Sequence, residues 1–378
     1  MMVDEKEDLC LCALNRIFCY EPILGLRLLD FFGTAAAVFE APGGKIGELL
    51  HARPELAAKI NREALAESAR EFESLESLSG HFVGLSAPAY PKLLLECPDR
   101  PLGLYVRSET PVEDLFNSRE AIAFVGTRDL SSYGREWCGN LVSAVAEAER
   151  KPLIISGLAF GIDYVAHSTA LTLGLPTVGV MATGIDRIYP SRHEILADKM
   201  VRTPGCALVS CYPLGTAPVA TQFLSRNRII AGMSQATVLV ESKVKGGGLI
   251  TARHAYSYDR DVYALPGRVD DVRSQGCNQL IRNKIAEPVI SREDFLDKLG
   301  YKAPRMRKRD VLRKASDLFP DGSLELEVLR EVLAERGIDI RTLCDRTDRP
   351  YADVIAAALS LESEGFLSMD ILQRCSVV

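Results

Sequence analysis

From about residue 100 the chain repeats one pattern: a short apolar run, a loop of glycine and small polar residues, then apolar side chains at helical spacing. The runs fall at 102–106, 122–125, 153–155, 177–181, 207–209, 237–240 and 262–265. Most are apolar throughout, as strands covered on both faces must be. The intervening spacing predicts helices over 131–150, with Ser131 or Ser132 as the cap, and over 162–173, 191–201, 223–233 and 249–258. Such alternation specifies an α/β fold with a doubly wound, mostly parallel sheet. Ligands of such sheets bind at the carboxyl ends of the strands, near the point where the strand order reverses.

The flanks read differently. Residues 8–75 carry helical patterns such as Ile23, Leu24, Leu28 and Phe31 before a stop at Gly33, which predicts a small helical domain over 1–80 and a core over 85–300. Residues 301–318 are basic, net +5, and read as a linker. Beyond them, helical patterns at 324–336, 340–345 and 351–364 precede a turn into a strand at 365–367, an order that fits a winged-helix-like module over 319–378. The length of 378 residues suits two or three domains, and 25% charged with 47% apolar residues is globular composition. No apolar run reaches the roughly 18 residues of a membrane helix. The acidic start Met1-Met2-Val3-Asp4-Glu5-Lys6-Glu7 is unlike a signal peptide, so a cytoplasmic protein is expected. Ten scattered cysteines with no CxxC pair read as free thiols rather than a zinc site.

The overall charge of −6 argues against a nucleic-acid partner until its distribution is examined. Residues 199–258 hold seven Lys or Arg and a single acid, Glu241, enough to focus positive potential on one region. The loops that follow the strands add to this: Gly126-Thr127-Arg128, Ser156-Gly157-Leu158-Ala159-Phe160-Gly161-Ile162-Asp163, Thr183-Gly184-Ile185-Asp186 leading to Tyr189-Pro190, and Glu241-Ser242-Lys243-Val244-Lys245-Gly246-Gly247-Gly248. Glycine lets backbone N–H groups approach a phosphate, and helix starts favour anions. Arg128 offers a fork for a phosphate, and Lys243 and Lys245 add point charges. In Phe223-Leu224-Ser225-Arg226-Asn227-Arg228, the ring could stack on a base or sit in the core, and Arg226 and Arg228 could meet phosphates or pair with Glu241.

Several enzyme signatures are missing. There is no GxxxxGK[ST] loop, no GxGxxG after the first strand and no GxSxG elbow, so no nucleotide cofactor is expected. The five histidines show no metal spacing, and His167, one turn after Asp163, reads as orienting a loop. Glu241-Ser242-Lys243 contains the E-x-K of a metal nuclease, but residues 199–240 supply no second carboxylate. No catalytic residue and no metal ligand is assigned.

Taken in order, these motifs resemble the DNA-processing protein A (DprA/Smf) family. The resemblance is carried by Tyr90-Pro91-Lys92-Leu93-Leu94, by the loops above, by Arg226-Asn227-Arg228-Ile229-Ile230-Ala231-Gly232, Gly247-Gly248-Leu249-Ile250-Thr251-Ala252 and Pro266-Gly267, and by Ser274-Gln275-Gly276-Cys277-Asn278-Gln279-Leu280-Ile281. It covers about residues 85–290. It implies an extended Rossmann-like core that binds single-stranded DNA without catalysis, forms a homodimer and loads the RecA recombinase during natural transformation. By motif match Arg128 is a leading DNA contact, with Phe223, Arg226 and the 246–248 loop beside it; Gly126, Thr127, Ser156, Gly157, Arg192, Asn227, Arg228, Lys243 and Lys245 complete the candidate DNA-binding set. The helical start resembles a SAM-like or helix-hairpin-helix domain. The chain departs from the family pattern at Phe160, usually Arg, at His193, usually Asn, and at Cys211, usually Glu. The basic residue after Tyr189-Pro190 is replaced by Ser191, with Arg192 next to it. The acidic tail, net −6, suits a protein partner or an autoregulatory contact better than duplex DNA. The alternative is a nucleotide-processing hydrolase of the phosphoribohydrolase type, whose PGGxGTxxE loop is answered here by Ala252 where a carboxylate is needed.

Overall fold

A computed structural model describes residues 3–301, 308–335 and 337–377. Nine strands form its main sheet: β1 (Gly80–Gly84), β2 (Gly103–Arg107), β3 (Ala121–Val125), β4 (Leu153–Ser156), β5 (Thr177–Val180), β6 (Ala207–Ser210), β7 (Ala236–Leu239), β8 (Asp261–Ala264) and β9 (Glu287–Pro288). Their order is β1-β2-β6-β5-β4-β3-β7-β8-β9. Every neighbouring pair from β6 to β9 is parallel, and β1 and β2 add an antiparallel edge. The expected α/β class with a mostly parallel sheet is what the chain adopts.

Strand β3 shows why its apolar run is continuous. Ala121, Ala123 and Val125 join the core layer that holds Ile229 and Ile230 of helix Ala220–Gly232 and Leu249 and Ala252 of helix Gly247–Ser257. Ile122 and Phe124 join the opposite layer, with Leu141 and Val145 of helix Ser132–Glu147 and Val165 and Ala166 of helix Ile162–Thr172. Both faces are covered, and each buried Ile, Leu or Phe contributes about 1.5–3 kcal/mol. From β3 the chain winds outward through β4 and β5 to β6, then returns to the other side of β3 as β7. The reversal between β3 and β7 opens a crevice at their carboxyl ends.

The edges escaped the sequence pattern. Strand β1 is only five residues, Gly-His-Phe-Val-Gly, and gains its place by pairing with β2, where Phe82 lies opposite Tyr105. The expected division at 80–85 therefore falls inside the sheet. Residues 3–301 make one compact unit and residues 308–377 another. In the first unit the N-terminal helices are pinned to the sheet edge by buried polar contacts. Asn15 of helix Val3–Phe18 donates to the Cys211 carbonyl (3.0 Å). Glu71 of helix Arg62–Ser77 accepts from Arg16 (2.7 Å), from the Tyr105 hydroxyl (2.9 Å) and from the Leu214 N–H (2.7 Å).

The second unit runs helix Lys308–Leu318, helix Leu324–Ala334, β10 (Ile338–Asp339), helix Ile340–Thr347, helix Tyr351–Ser363, β11 (Leu367–Met369) and β12 (Arg374–Val377), with sheet order β10-β12-β11. The basic stretch read as a linker is a helix from 308 onward, because Val311 and Ala315, one turn apart, bury into this unit's core. The rest of that stretch, 302–307, lies outside the described residues. All ten cysteines are free. Among the described residues no helix is long and apolar enough to cross a membrane.

His167 does not orient a loop towards the crevice. It is fully buried, and its Nδ1 lies 2.7 Å from Thr177 Oγ1. The Thr177 hydroxyl spends its proton on the Ile154 carbonyl (2.9 Å), so the histidine must donate. Its Nε2 meets no hydrogen-bond partner among the described residues. Burial, and behind it the proximity of His193 and Arg226, push the ring from its ordinary 6.5 down to about 3. The unfolded chain binds this proton first, so stability rises with pH between about 3 and 6.5. From this ring alone, moving from about pH 8 to about pH 5 should cost about 2 kcal/mol. Urea midpoints of wild type and His167→Gln, followed by the single tryptophan, Trp137, check this. The variant should be less stable at pH 8 and should lose less on acidification.

Candidate nucleic-acid interface

The crevice is built by two loops that touch. The Thr127 N–H donates to the Glu241 carbonyl (2.8 Å), tying the loop after β3 to the loop after β7. Gly248, at the start of its helix, packs so closely on Gly126 that a Cβ there would lie 3.0 Å from the Gly126 Cα. Glycine is needed at this crossing for close backbone approach. The loop after β4 joins them. Ile162 N–H donates to the Thr127 carbonyl (3.2 Å), and Gly161, at φ +82°, would place a Cβ 2.1 Å from the same oxygen.

Glu241 is buried and faces away from the crevice. Its carboxylate accepts from the Ser131 N–H (2.9 Å) and the Ser131 hydroxyl, which in turn caps helix Ser132–Glu147 at the Gly134 N–H. It pairs with neither Arg226 nor Arg228, contrary to one expectation. Among the described residues no group of three His, Cys, Asp or Glu could hold a metal ion.

The cleft between these loops has a volume of about 770 Å³. Gly126, Thr127, Arg128, Phe223, Arg226, Asn227, Lys243, Lys245, Gly246, Gly247 and Gly248, all read from sequence as site residues, line it. Arg128, Lys243 and Lys245 are exposed and form no ion pair with any described residue. The two acids of the lining are already engaged. Asp129 pairs with Arg273 (3.1 Å), and Asp163 accepts from the Gly157 and Ala159 N–H groups (3.1 and 3.2 Å). The cleft therefore presents uncompensated positive charge. Gly247 and Gly248, which open helix Gly247–Ser257, belong to the lining, and a helix start favours an anion.

An aromatic face stands beside the charge. The Arg128 guanidinium lies over the Phe223 ring, 5.1 Å from its centroid. Tyr189 meets the same ring edge-on at 5.4 Å. Phe223 is half-buried, so it is a wall of the cleft rather than a core residue. In the sequence Tyr189 stands out only as half of the Tyr189-Pro190 pair. Its place in the lining follows from the loop after β5 opening at the same sheet edge as the others.

Of the other sequence candidates, Arg226 and Asn227 line the cleft but spend their polar groups on the protein, and Ser156, Gly157, Arg192 and Arg228 lie outside the lining. Arg226 is buried, and its guanidinium donates to the Gly157 carbonyl (2.6 Å) and the Val180 carbonyl. Burial lowers its pKa from 12.5 to about 10, with the Asp163 carboxylate opposing the shift. Burial likewise raises the Asp163 carboxyl, against the pull of Arg226 and two backbone N–H groups. Arg226 is thus a buried strut that closes the cleft floor. Arg228, two residues on and so on the other side of the helix, donates to the Asp99 carbonyl outside the cleft. Ser156 is buried and donates to the Phe124 carbonyl (2.6 Å). Gly157 serves as the acceptor for Arg226, and exposed Arg192 is not in the lining. Asn227 accepts from Arg226 Nε (3.3 Å) and donates to the Gly247 carbonyl (3.2 Å), which ties the buried strut to the glycine loop.

The chain is similar to known proteins. The family described as DNA recombination-mediator protein A matches residues 81–300. The chain belongs to that family. Protein Smf of Escherichia coli K12 is 33% identical over 78% of this chain and 76% of its own length. The solved structure of DprA from Streptococcus pneumoniae matches with a TM-score of 0.64 at 28% identity, covering 79% of this chain and 98% of that one. A structure of DprA from Helicobacter pylori, described for its single-stranded DNA binding mode, matches with a TM-score of 0.51 at 25% identity over 58% of this chain and 95% of its own. The family match over 81–300 takes in all of the sheet but its first residue, Gly80, and ends before the second unit. Phe160 and His193, two positions where the chain departs from the DprA/Smf pattern, touch each other, with ring centroids 4.9 Å apart.

Proposed function

We propose that the cleft at the β3–β7 reversal binds single-stranded DNA, and that the protein delivers this strand to the RecA recombinase rather than transforming it chemically. One observation carries the reading. Three exposed cations with no ion pair among the described residues and a half-buried ring stand in one cleft, the combination that holds a flexible strand by phosphate and base together. The H. pylori relative's single-strand binding mode supports it. A hydrolase would need a free carboxylate in the cleft, and both candidates are committed to other partners. Natural transformation in the cytoplasm is the setting that fits. A homodimer would place two clefts on one strand and raise affinity beyond a single cleft. The 308–377 unit, whose helix-strand-helix-helix-strand-strand run follows a leading helix, is assigned as a winged-helix module that contacts protein.

Fluorescence anisotropy of labelled oligothymidylate against duplex, over a salt series, tests this. Neutralising three phosphates should give a log–log salt slope near about −2 for the single strand. Arg128→Ala should weaken binding about tenfold or more and flatten the slope by about 0.7. Equal affinity for duplex, or no binding, would overturn the reading.

A further inference from the structure

Beside the cleft lies a second cluster of rings that the function above does not use. Phe160 and Tyr164 are each 41% exposed, and both pack on the same buried residue, His193. Phe160 meets His193 edge-on at 4.9 Å, and Tyr164 meets it at 5.1 Å with the planes tilted by 34°. His193 is a fixed support: it is 4% exposed, and its Nδ1 lies 2.9 Å from the Leu158 carbonyl. That contact helps hold Leu158 at φ +57°, a conformation rare for a residue with a side chain. The 158–161 loop is therefore shaped at both ends, by Leu158 and by Gly161.

The cluster is continuous with the cleft. Phe160 sits between Ala159 and Asp163, both of which line it. The next residue, Gly161, packs its backbone against Thr127 and Arg128. Phe223 with Tyr189 therefore stands within the cleft beside Arg128, and Phe160 with Tyr164 stands on the segment whose Gly161 abuts Arg128. A polar rim over a solvated loop gives no reason to hold two large apolar rings half in water on a rigid base. A flexible strand leaving the Arg128 phosphate contact gives one, because each base carries an apolar face that needs cover.

We infer that Phe160 and Tyr164, seated on His193, form a second base-stacking subsite for single-stranded DNA, next to the one at Phe223. The inference rests on the proposed function of the cleft and extends it. Stacking on this rim should be insensitive to sequence, since all bases offer a face, and nearly insensitive to salt, since no phosphate is neutralised there.

The two kinds of contact separate in one experiment. Affinity of the full-length protein for labelled oligothymidylate of about 16 nucleotides is measured over a salt series, with melting followed at Trp137 to confirm folding. Phe160→Ala should lower affinity about tenfold and leave the salt slope unchanged. Phe160→Trp should bind at least as tightly as wild type, with the same slope. Phe160→Arg should recover affinity at low salt with a slope steeper by about 0.7, because it exchanges a stacked base for a phosphate. Tyr164→Ala serves as the second truncation should Phe160→Ala fail to fold. Wild-type binding with no loss in either truncation would overturn the subsite and leave the cleft standing. A flatter slope in Phe160→Ala would overturn it as well, by showing that the loss came through Arg128. Absence of wild-type binding would overturn both readings together.

Discussion

Gly161→Ala should both destabilise the 3–301 unit and disable the cleft. The φ of +82° costs a side-chain-bearing residue about 1–2 kcal/mol. The added methyl also meets the Thr127 carbonyl at 2.1 Å and the Arg128 Cα at 2.7 Å, both backbone atoms that cannot swing aside. Overpacking of this kind typically costs about 1–3 kcal/mol more. The relief available is to push the Arg128 loop away, which breaks the Ile162–Thr127 hydrogen bond and moves the guanidinium off Phe223. The urea midpoint at Trp137 should fall, and single-strand affinity should fall more than tenfold even well below that midpoint. Gly139→Ala is the matched control. It lies in a helix with open space around the new methyl, and should be neutral or stabilising by about 0.5–1 kcal/mol. A Gly161→Ala protein with wild-type stability and affinity would show that the two loops are not in contact.

Asp163→Ala should destabilise the 3–301 unit by about 2–5 kcal/mol, at about 1–3 kcal/mol for each buried donor left without an acceptor. The carboxylate makes no ion pair with Arg226, but its charge offsets that of the buried guanidinium, which spans the cleft floor between β4 and β5. Two backbone N–H groups, of Gly157 and Ala159, lose their acceptor at the same time. The double variant Asp163→Ala/Arg226→Met removes the orphaned charge and should lose clearly less than the sum of the single losses. Additive losses would show that the two charges do not act on each other. Single-strand binding should weaken in Asp163→Ala, since both cleft walls hinge on the loop that Asp163 folds.

The central sheet was legible because its strands are covered on both faces, and an apolar run of four or five residues between glycine-rich loops has few other readings. Strands β1 and β9 were not, since five and two residues at an edge carry no burial pattern of their own. The cleft loops were legible from their glycines, and the structure adds that Gly126 and Gly248 are there for one another. The charged residues of helix Ala220–Gly232 were misread for a physical reason. Arg226 and Arg228 are two residues apart, about 200° around a helix, so they could not both face one cleft. Both donate to carbonyls inside the protein, and which carbonyls these are depends on β4, β5 and the 97–100 segment, all distant in sequence. The anchoring of the 211–222 wall by Asn15, Tyr20 and Glu71 was hidden for the same reason.

The location of the strand can be read directly. Oligothymidylate carrying 5-iododeoxyuridine, irradiated in complex with the full chain, joins covalently to the aromatic side chains against which its bases lie. Peptide mapping should place the adducts on segments containing Tyr189 and Phe223, and Arg128→Ala should reduce their yield. Adducts confined to residues 308–377, or to the amino ends of the strands around Lys92, Arg119 and Lys151, would contradict a binding cleft at the β3–β7 reversal.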